Sequence, residues 1–448
     1  MDVLTLSRLQ FALTIAFHYI FPPLSIGLGL ILVIMEGWYL KTKNELYHRM
    51  THFWVKIFGL IFAIGVASGI VMEFQFGTNW SVYSRFVGDV FGSALAAEGI
   101  FAFFLESGFL SILLFGWNKV SPKIHFLSTI MVALGAHFSA IWIVVANSWQ
   151  QTPAGHHIVG EGLAARAEML DFWQVVFNPS TVDRVWHTYM GAWQAGAFFI
   201  LSVSAFYIIR KKYLDFARAS IKIGLVVAAV ASVLQLVSGH SSAVGVSQNQ
   251  PAKLAAFESH YEASAPADMY LFGWVNEENE QVNLGIKIPG MLSWLVYGDA
   301  GRPLTGLRAF PPDKLPPVNF VFQTYHAMVG IGMILILLAW GGLALWWRRK
   351  LFDIKWFLWI LVFSVMGPQL ANQLGWFSAE VGRQPYIVYD LLRTSDAFSR
   401  TVTSGEVITS LILFGIIYIF LLALFIYLLN QKIQHGPDDE AVAEGHLA

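Results

Sequence analysis

The chain contains no cysteine. Disulfides, zinc–thiolate sites, Cys-held iron–sulfur clusters and CxxCH haem attachment are thereby excluded. Charge is scarce too: Asp, Glu, Lys and Arg make up 13% of the 448 residues, and the net charge is −1. Soluble chains carry about a quarter charged residues. So neutral a chain has no field that would draw nucleic acid to it. The N-terminus MDVLTLSR lacks a basic n-region and a small-residue cleavage site, so the first apolar stretch reads as a resident helix, not a signal peptide.

What the chain has in excess is apolar surface. Hydrophobic residues make up 56% of it, and they are spread over the whole length. This is the composition of an all-α polytopic membrane protein. A helix needs about 20 mostly apolar residues to cross the hydrocarbon layer. Nine stretches qualify, at about residues 9–38, 54–77, 93–117, 124–148, 186–209, 219–238, 319–347, 355–376 and 406–430. Alternate connections are short and basic: Lys41, Lys43 and Arg49; Lys119 and Lys123; Arg210, Lys211, Lys212 and Arg218; Arg348, Arg349, Lys350 and Lys355. The positive-inside rule puts these in the cytoplasm and the N-terminus outside. The chain then divides into six spans (1–238), a large outer loop (239–318), three further spans (319–430) and an acidic cytoplasmic tail (431–448). The outer loop is longer than a connection needs; such a loop is functional or disordered, and its aromatics argue against full disorder. Its KLAAFESHY segment is a candidate short helix; its end GRPLTGLRAFPPDKLPP is not. No internal repeat stands out.

Ionisable residues inside spans are costly and mark functional sites. His18, in TIAFHYIFPPLS, lies about ten residues into the first helix. It is either hydrogen-bonded to a neighbouring helix or a haem ligand. His187 opens the fifth span, and Met328 lies in the outer part of the seventh, in TYHAMVGIGM. Gly191, Ala192, Ala195, Gly330 and Gly332 leave room beside them for a flat ring. A His–Met pair suits a low-spin haem, although Met is commonly core filler. His326 competes with Met328 but points to another helix face. Glu98 and Glu106 share the third span, about 12 Å apart along the axis and about 80° apart around it. They read as a proton relay or as two neutral, hydrogen-bonded carboxyls. Glu73 is more ambiguous. Glu380, in GWFSAEVGRQPY, sits just past the eighth span with Arg383 three residues on. A helix-end ion pair is one reading and a haem ligand the other.

Longer motifs carry a family likeness: LSRLQFALTIAFHYIFPPLSIG, MEFQFGTNWS, AAEGIFAFFLES, IWIVVANSWQQTP, NPSTVDRVWHT, KLAAFE and GWFSAEVGRQP. In these the chain resembles subunit I of the cytochrome bd-type quinol oxidases over nearly its whole length. The resemblance implies nine helices holding three haems: a low-spin haem b, a high-spin haem b and a haem d where O2 is reduced. It implies His187 and Met328 as ligands of the low-spin haem. His18 and Glu380 would ligate the two high-spin haems, in either order. Glu98 and Glu106 match the proton path, and Asn147 a position near the active site. Lys253 and Glu258 match residues of quinol oxidation; Trp376, Arg383 and Gln384 match positions beside the haems. The implied partners are quinol, O2, the lipid bilayer, a second polytopic subunit and small single-helix subunits, in a bacterial cytoplasmic membrane. Departures are Tyr386 where Trp is usual after GRQP, His326 where some members carry Arg, and a shorter outer loop. A heme–copper oxidase would need more helix-borne histidines, and His156–His157 fall in a loop. A transporter would place its site at the midplane on broken helices.

Overall fold

The computed structural model describes residues 2–437. Among them, nine helices are long and apolar enough to span a membrane: Val3–Thr42, Glu45–Thr78, Ser81–Phe115, Pro122–Gln151, Thr181–Ile209, Leu214–Asn249, Val318–Trp347, Lys355–Val381 and Ser404–His435. They are called the first to ninth spans below. All nine expected spans are present, and most run past their apolar stretches into polar caps. Asn44 accepts from Leu46 N–H and so starts the second span. Ser121, followed by Pro122, starts the fourth, and a Thr403/Glu406 capping box starts the ninth. The sixth span ends at Asn249, not near 238. Along its polar end the Ser247 and Asn249 side chains donate to the carbonyls of Val244 and Gly245, while Ser241 ties it to Asp183 of the fifth span.

Three spans are interrupted. The first breaks between His18 and Phe21, because Pro22 and Pro23 cannot donate to the carbonyls one turn before them. The third contains a π-turn at Gly99–Phe103. The eighth breaks between Phe363 and Met366.

The interior is built around Phe21, Trp54, Phe58 and Phe198, all below 1% exposed. The first and fifth spans cross in backbone contact. A Cβ on Gly27 would lie 2.8 Å from Gly196 Cα, so only glycine fits there. The ninth span is seated on the first and second, with Ile412, Ile416 and Phe420 facing outward.

One face carries the long connections. The segment between the sixth and seventh spans contains the short helix expected at its start (Pro251–Phe257), a hairpin pairing Met269–Asn276 with Gln281–Ile288, and a helix at Met291–Tyr297. Leu254, Phe257, Leu304 and Leu307 pack on Val321 and Phe322 of the seventh span. This segment is therefore folded against the bundle. A second hairpin pairs His156–Val159 with Arg166–Met169, and a third pairs Tyr386–Val388 with Leu392–Arg393. The ninth helix takes up the start of the expected tail; the acidic part beyond residue 437 lies outside the described residues.

Candidate haem and quinol sites

Glu380 lies within the last turn of the eighth span, not beyond it, because the turn is continued by Gly382 N–H donating to Ser378 O at 3.0 Å. Its Oε1 accepts from Asn147 Nδ2 at 3.0 Å and from Gln151 Nε2 at 3.3 Å. Its Oε2 faces Arg383 Nη2 at 2.5 Å. Asn147 in turn accepts from the Arg184 guanidinium of the fifth span. Lys253 Nζ donates to Gln151 Oε1 at 2.8 Å and to Gln250 Oε1 at 2.9 Å. Burial pushes the Lys253 ammonium well below its usual range, and the charges of Arg184 and Arg383 add to this while Glu380 opposes it. Lys253 and Arg383 are buried, and Arg184 is half-buried. This network sets one carboxylate against two guanidiniums and a buried amine. The surplus positive charge suits anionic groups such as haem propionates.

Arg184 and Gln151 were not singled out in the sequence. The available signal for Arg184 was its place one turn before His187 in DRVWH.

The two candidate histidines are seated alike. His18 Nδ1 lies 3.0 Å from Ser68 Oγ on the second span. His187 Nδ1 lies 3.0 Å from Ser238 Oγ on the sixth. Gln235 Nε2 also approaches His187 Nε2, at 2.9 Å. Met328 faces the eighth span, where a Cβ on Gly375 would lie 2.8 Å from its Sδ. One turn before Gly375, Asn372 packs on Gly191, which lies one turn beyond His187. Met328 and His187 thus flank one interior region between the fifth and eighth spans. Several buried amide atoms there have no hydrogen-bond partner: Gln194 Oε1, Gln235 Oε1, Asn372 Nδ2 and Gln373 Oε1.

His326 is not aimed at this region. Its ring lies between the carbonyl oxygens of Phe322 and Tyr270, 2.9 Å from each, and so ties the loop hairpin to the seventh span.

The π-turn changes the geometry expected for the third span. In a regular helix eight residues rotate by about 80°; one extra residue in a turn reduces this to about 20°. Glu98 and Glu106 consequently both face the fourth span. Ser139 Oγ donates to Glu98 Oε1 at 2.9 Å, and a Cβ on Gly135 would meet Glu106 Cγ at 2.7 Å. Glu106 is buried and Glu98 half-buried, while Glu73 is exposed on the second span. Near the opposite face, a pair absent from the sequence reading joins the first and fourth spans. His125 Nδ1 lies 2.7 Å from Glu36 Oε1, and Thr129 donates to the other oxygen.

Glu258, just after the loop helix, is 4% exposed, and its Oε2 has no hydrogen-bond partner. Burial raises its carboxyl to about 8. His326 Nε2 is 3.8 Å away. Ser259 Oγ and Tyr261 OH nearby in the chain are unpartnered as well. Lys253 therefore belongs to the Glu380 network, and Glu258 is buried separately beside His326. Two predicted residues stay outside both. Trp376 packs tilted against Phe377 at 5.5 Å, and Gln384 accepts from Thr394 Oγ1 at 2.9 Å, bracing the third hairpin. His156 and His157 lie in the first hairpin.

Among the described residues no group of three or more His, Cys, Asp or Glu is placed to hold a bare metal ion. The donors are instead single: an imidazole, a thioether or a carboxylate, each from its own helix. That set fits iron that brings its own equatorial ligands, as in haem, and needs only axial donors. Nine such spans among the described residues are those of a polytopic membrane protein. The chain belongs to the cytochrome bd terminal oxidase subunit I family, whose model matches residues 6–437. It is accordingly an oxidoreductase subunit of a respiratory terminal oxidase. It is 41% identical to cytochrome bd ubiquinol oxidase subunit 1 of Bacillus subtilis, over 98% of this chain and 95% of that one. It is 36% identical to cytochrome bd-II ubiquinol oxidase subunit 1 of Escherichia coli, over 97% of each. The solved bd oxidase from Geobacillus thermodenitrificans superposes with a TM-score of 0.90 at 29% identity, over 97% of this chain and 99% of that chain.

Proposed function

We propose that this chain is the haem-bearing subunit of a quinol:O2 oxidoreductase in a bacterial cytoplasmic membrane. Its loop face is outside and its basic connections are cytoplasmic. It pairs with a second polytopic subunit and with small single-helix subunits. The observation that carries the reading is the donor set: His18, His187, Met328 and Glu380, one per helix, beside buried cations in excess over carboxylates.

His187 and Met328 would hold a low-spin haem b, and His18 and Glu380 a high-spin haem b and a haem d in an order left open. When bound, these groups carry the electrons and supply the iron at which O2 is reduced to water. The rest is the work of the chain. The segment 250–317, with Glu258 as proton acceptor, takes quinol at the outer face and releases its protons there. Arg184, Lys253 and Arg383 balance propionate charge. Asn147 and Gln151 orient Glu380. Glu98 and Glu106, on one helix face, pass cytoplasmic protons inward. Proton release on one side and uptake on the other separate charge without a pump.

Reduced-minus-oxidised visible spectra of the purified complex test this. The wild type shows haem bands, and His187→Ala loses the low-spin component alone. Absence of haem from the wild type overturns the oxidase reading; full retention in His187→Ala overturns that ligand.

A further inference from the structure

We propose that Ser68-Gly69 and Ser238-Gly239 are a duplicated histidine seat that fixes the tautomer of both haem-ligating imidazoles and presents Nε2 to iron. The inference rests on His18 and His187 being ligands, as proposed above.

Proton counting carries it. A serine hydroxyl has one hydrogen. Ser68 Oγ donates it to helix carbonyls, Ile64 O at 2.9 Å or Gly65 O at 3.0 Å. Ser238 Oγ donates to Gln235 O at 3.1 Å. A hydroxyl that gives its hydrogen to a helix carbonyl presents only lone pairs to the imidazole 3.0 Å away. With its hydrogen on the helix carbonyl each serine accepts, and that arrangement places the histidine proton on Nδ1. The lone pair is left on Nε2 at both sites. At His187 the Gln235 amide nitrogen lies 2.9 Å from Nε2 and 3.1 Å from Nδ1, so it favours neither tautomer and has to swing aside for Nε2 to meet iron.

The glycine is the second half of the seat. A Cβ on Gly69 would lie 3.2 Å from His18 Cε1, and one on Gly239 would lie 3.3 Å from His187 Cε1. A side chain there would be tight, and the ring would have to give by a few tenths of an ångström. The pattern occurs twice at nearly equal spacing: His to Ser is 50 residues in one case and 51 in the other. In both, the histidine is on one span and Ser-Gly on the next. A serine that merely satisfied a buried ring would need no glycine beside it, and no second copy.

A hydrogen bond from Nδ1–H makes Nε2 a stronger donor and favours the oxidised metal. Ser68 and Ser238 are thus positioning residues that hold down the potentials of two different haems. Potentiometric titration of the purified complex, followed by visible spectra, tests this. Ser238→Ala should raise the midpoint potential of the low-spin haem alone, and Ser68→Ala that of the haem on His18 alone. Ser→Thr, which keeps the hydroxyl, should restore both. In Ser68→Ala the iron–histidine stretch of the reduced haem should fall, read by resonance Raman. Unmoved potentials, or Thr and Ala shifting alike, overturn the seat. If Ser238→Ala loses its haem, Gly239→Ala takes over: altered electron paramagnetic resonance g-values at full haem content support the seat, and unaltered ones overturn it. His187→Ala and His18→Ala separate the two readings. Haem retained in them refutes the ligands; haem lost in them with silent serine variants refutes only the seat.

Discussion

Asn147 Nδ2 donates to Glu380 Oε1 at 3.0 Å, joining the fourth span to the end of the eighth. The same amide accepts from Arg184 of the fifth span through its oxygen. One neutral side chain thereby holds a carboxylate and a guanidinium from two other helices. Asn147→Ala removes both contacts at once. Hydrogen bonds to charged groups contribute about 1.5–3 kcal/mol each, so a loss of that order is expected in thermal denaturation of the purified complex. O2 uptake should fall with it. Asn147→Leu, similar in volume, should show the same loss.

Glu258 gives a pH prediction with a definite sign. Burial raises its carboxyl from 4.5 to about 8. The folded loop therefore holds a proton that the unfolded chain has already released. Stability from this group is complete below about pH 4.5 and is lost as pH rises through about 8. Glu258→Gln should flatten that slope in denaturation measured across this window. As a proton acceptor the residue must be ionised, so quinol oxidation should rise with pH through about 8 in the wild type. Glu258→Ala should slow quinol oxidation more than O2 reduction driven by artificial donors. Equal losses would remove the residue from the quinol site.

Gly135 makes the fit of Glu106 testable. An added Cβ would meet Glu106 Cγ at 2.7 Å and Ala102 O at 3.3 Å. Overpacking of this kind costs about 1–3 kcal/mol. Gly135→Ala should slow O2 reduction by displacing the carboxyl, and Glu106→Gln should do so while keeping its shape. Rapid-mixing spectra should show haem reduction by quinol unchanged in both. A slowed reduction would take Glu106 out of the proton path.

Gly375→Ala tests the thioether. The added methyl would lie 2.8 Å from Met328 Sδ. Met328 is the proposed sixth ligand, so electron paramagnetic resonance should show low-spin signal converting to high-spin at constant haem content. Gly330→Ala, with open space around it, is the matched control.

Much of this was legible in the sequence because a membrane makes one demand, continuous apolar helix, and composition answers it directly. All nine spans were found, and so was the loop helix at Pro251–Phe257. What was missed follows from local backbone and from distance. The π-turn at Gly99–Phe103 has no apolar periodicity of its own, so Glu98 and Glu106 were expected on different faces. The three hairpins are held by ladder bonds and by packing on span ends, which residue type alone does not reveal. Glu380 reads from the sequence as lying past its helix, because polar residues at the end of an apolar run resemble a boundary. Arg184, Gln151 and the serines acquire meaning only through partners tens to hundreds of residues away. Ser68 and Ser238 read as ordinary polar residues in apolar spans, which is why the repeat they form was not seen.

The break in the first span has a further consequence. His18 is the last residue of the segment Val3–His18, whereas His187 lies in the second turn of an unbroken helix starting at Thr181. The carbonyl end of a helix bears partial negative charge that fades within about one turn. His18 stands in that field and His187 does not. If His18 and His187 hold iron as proposed, two imidazoles with matching serine contacts would thus deliver unequal electron affinity, and the inequality would come from Pro22 and Pro23.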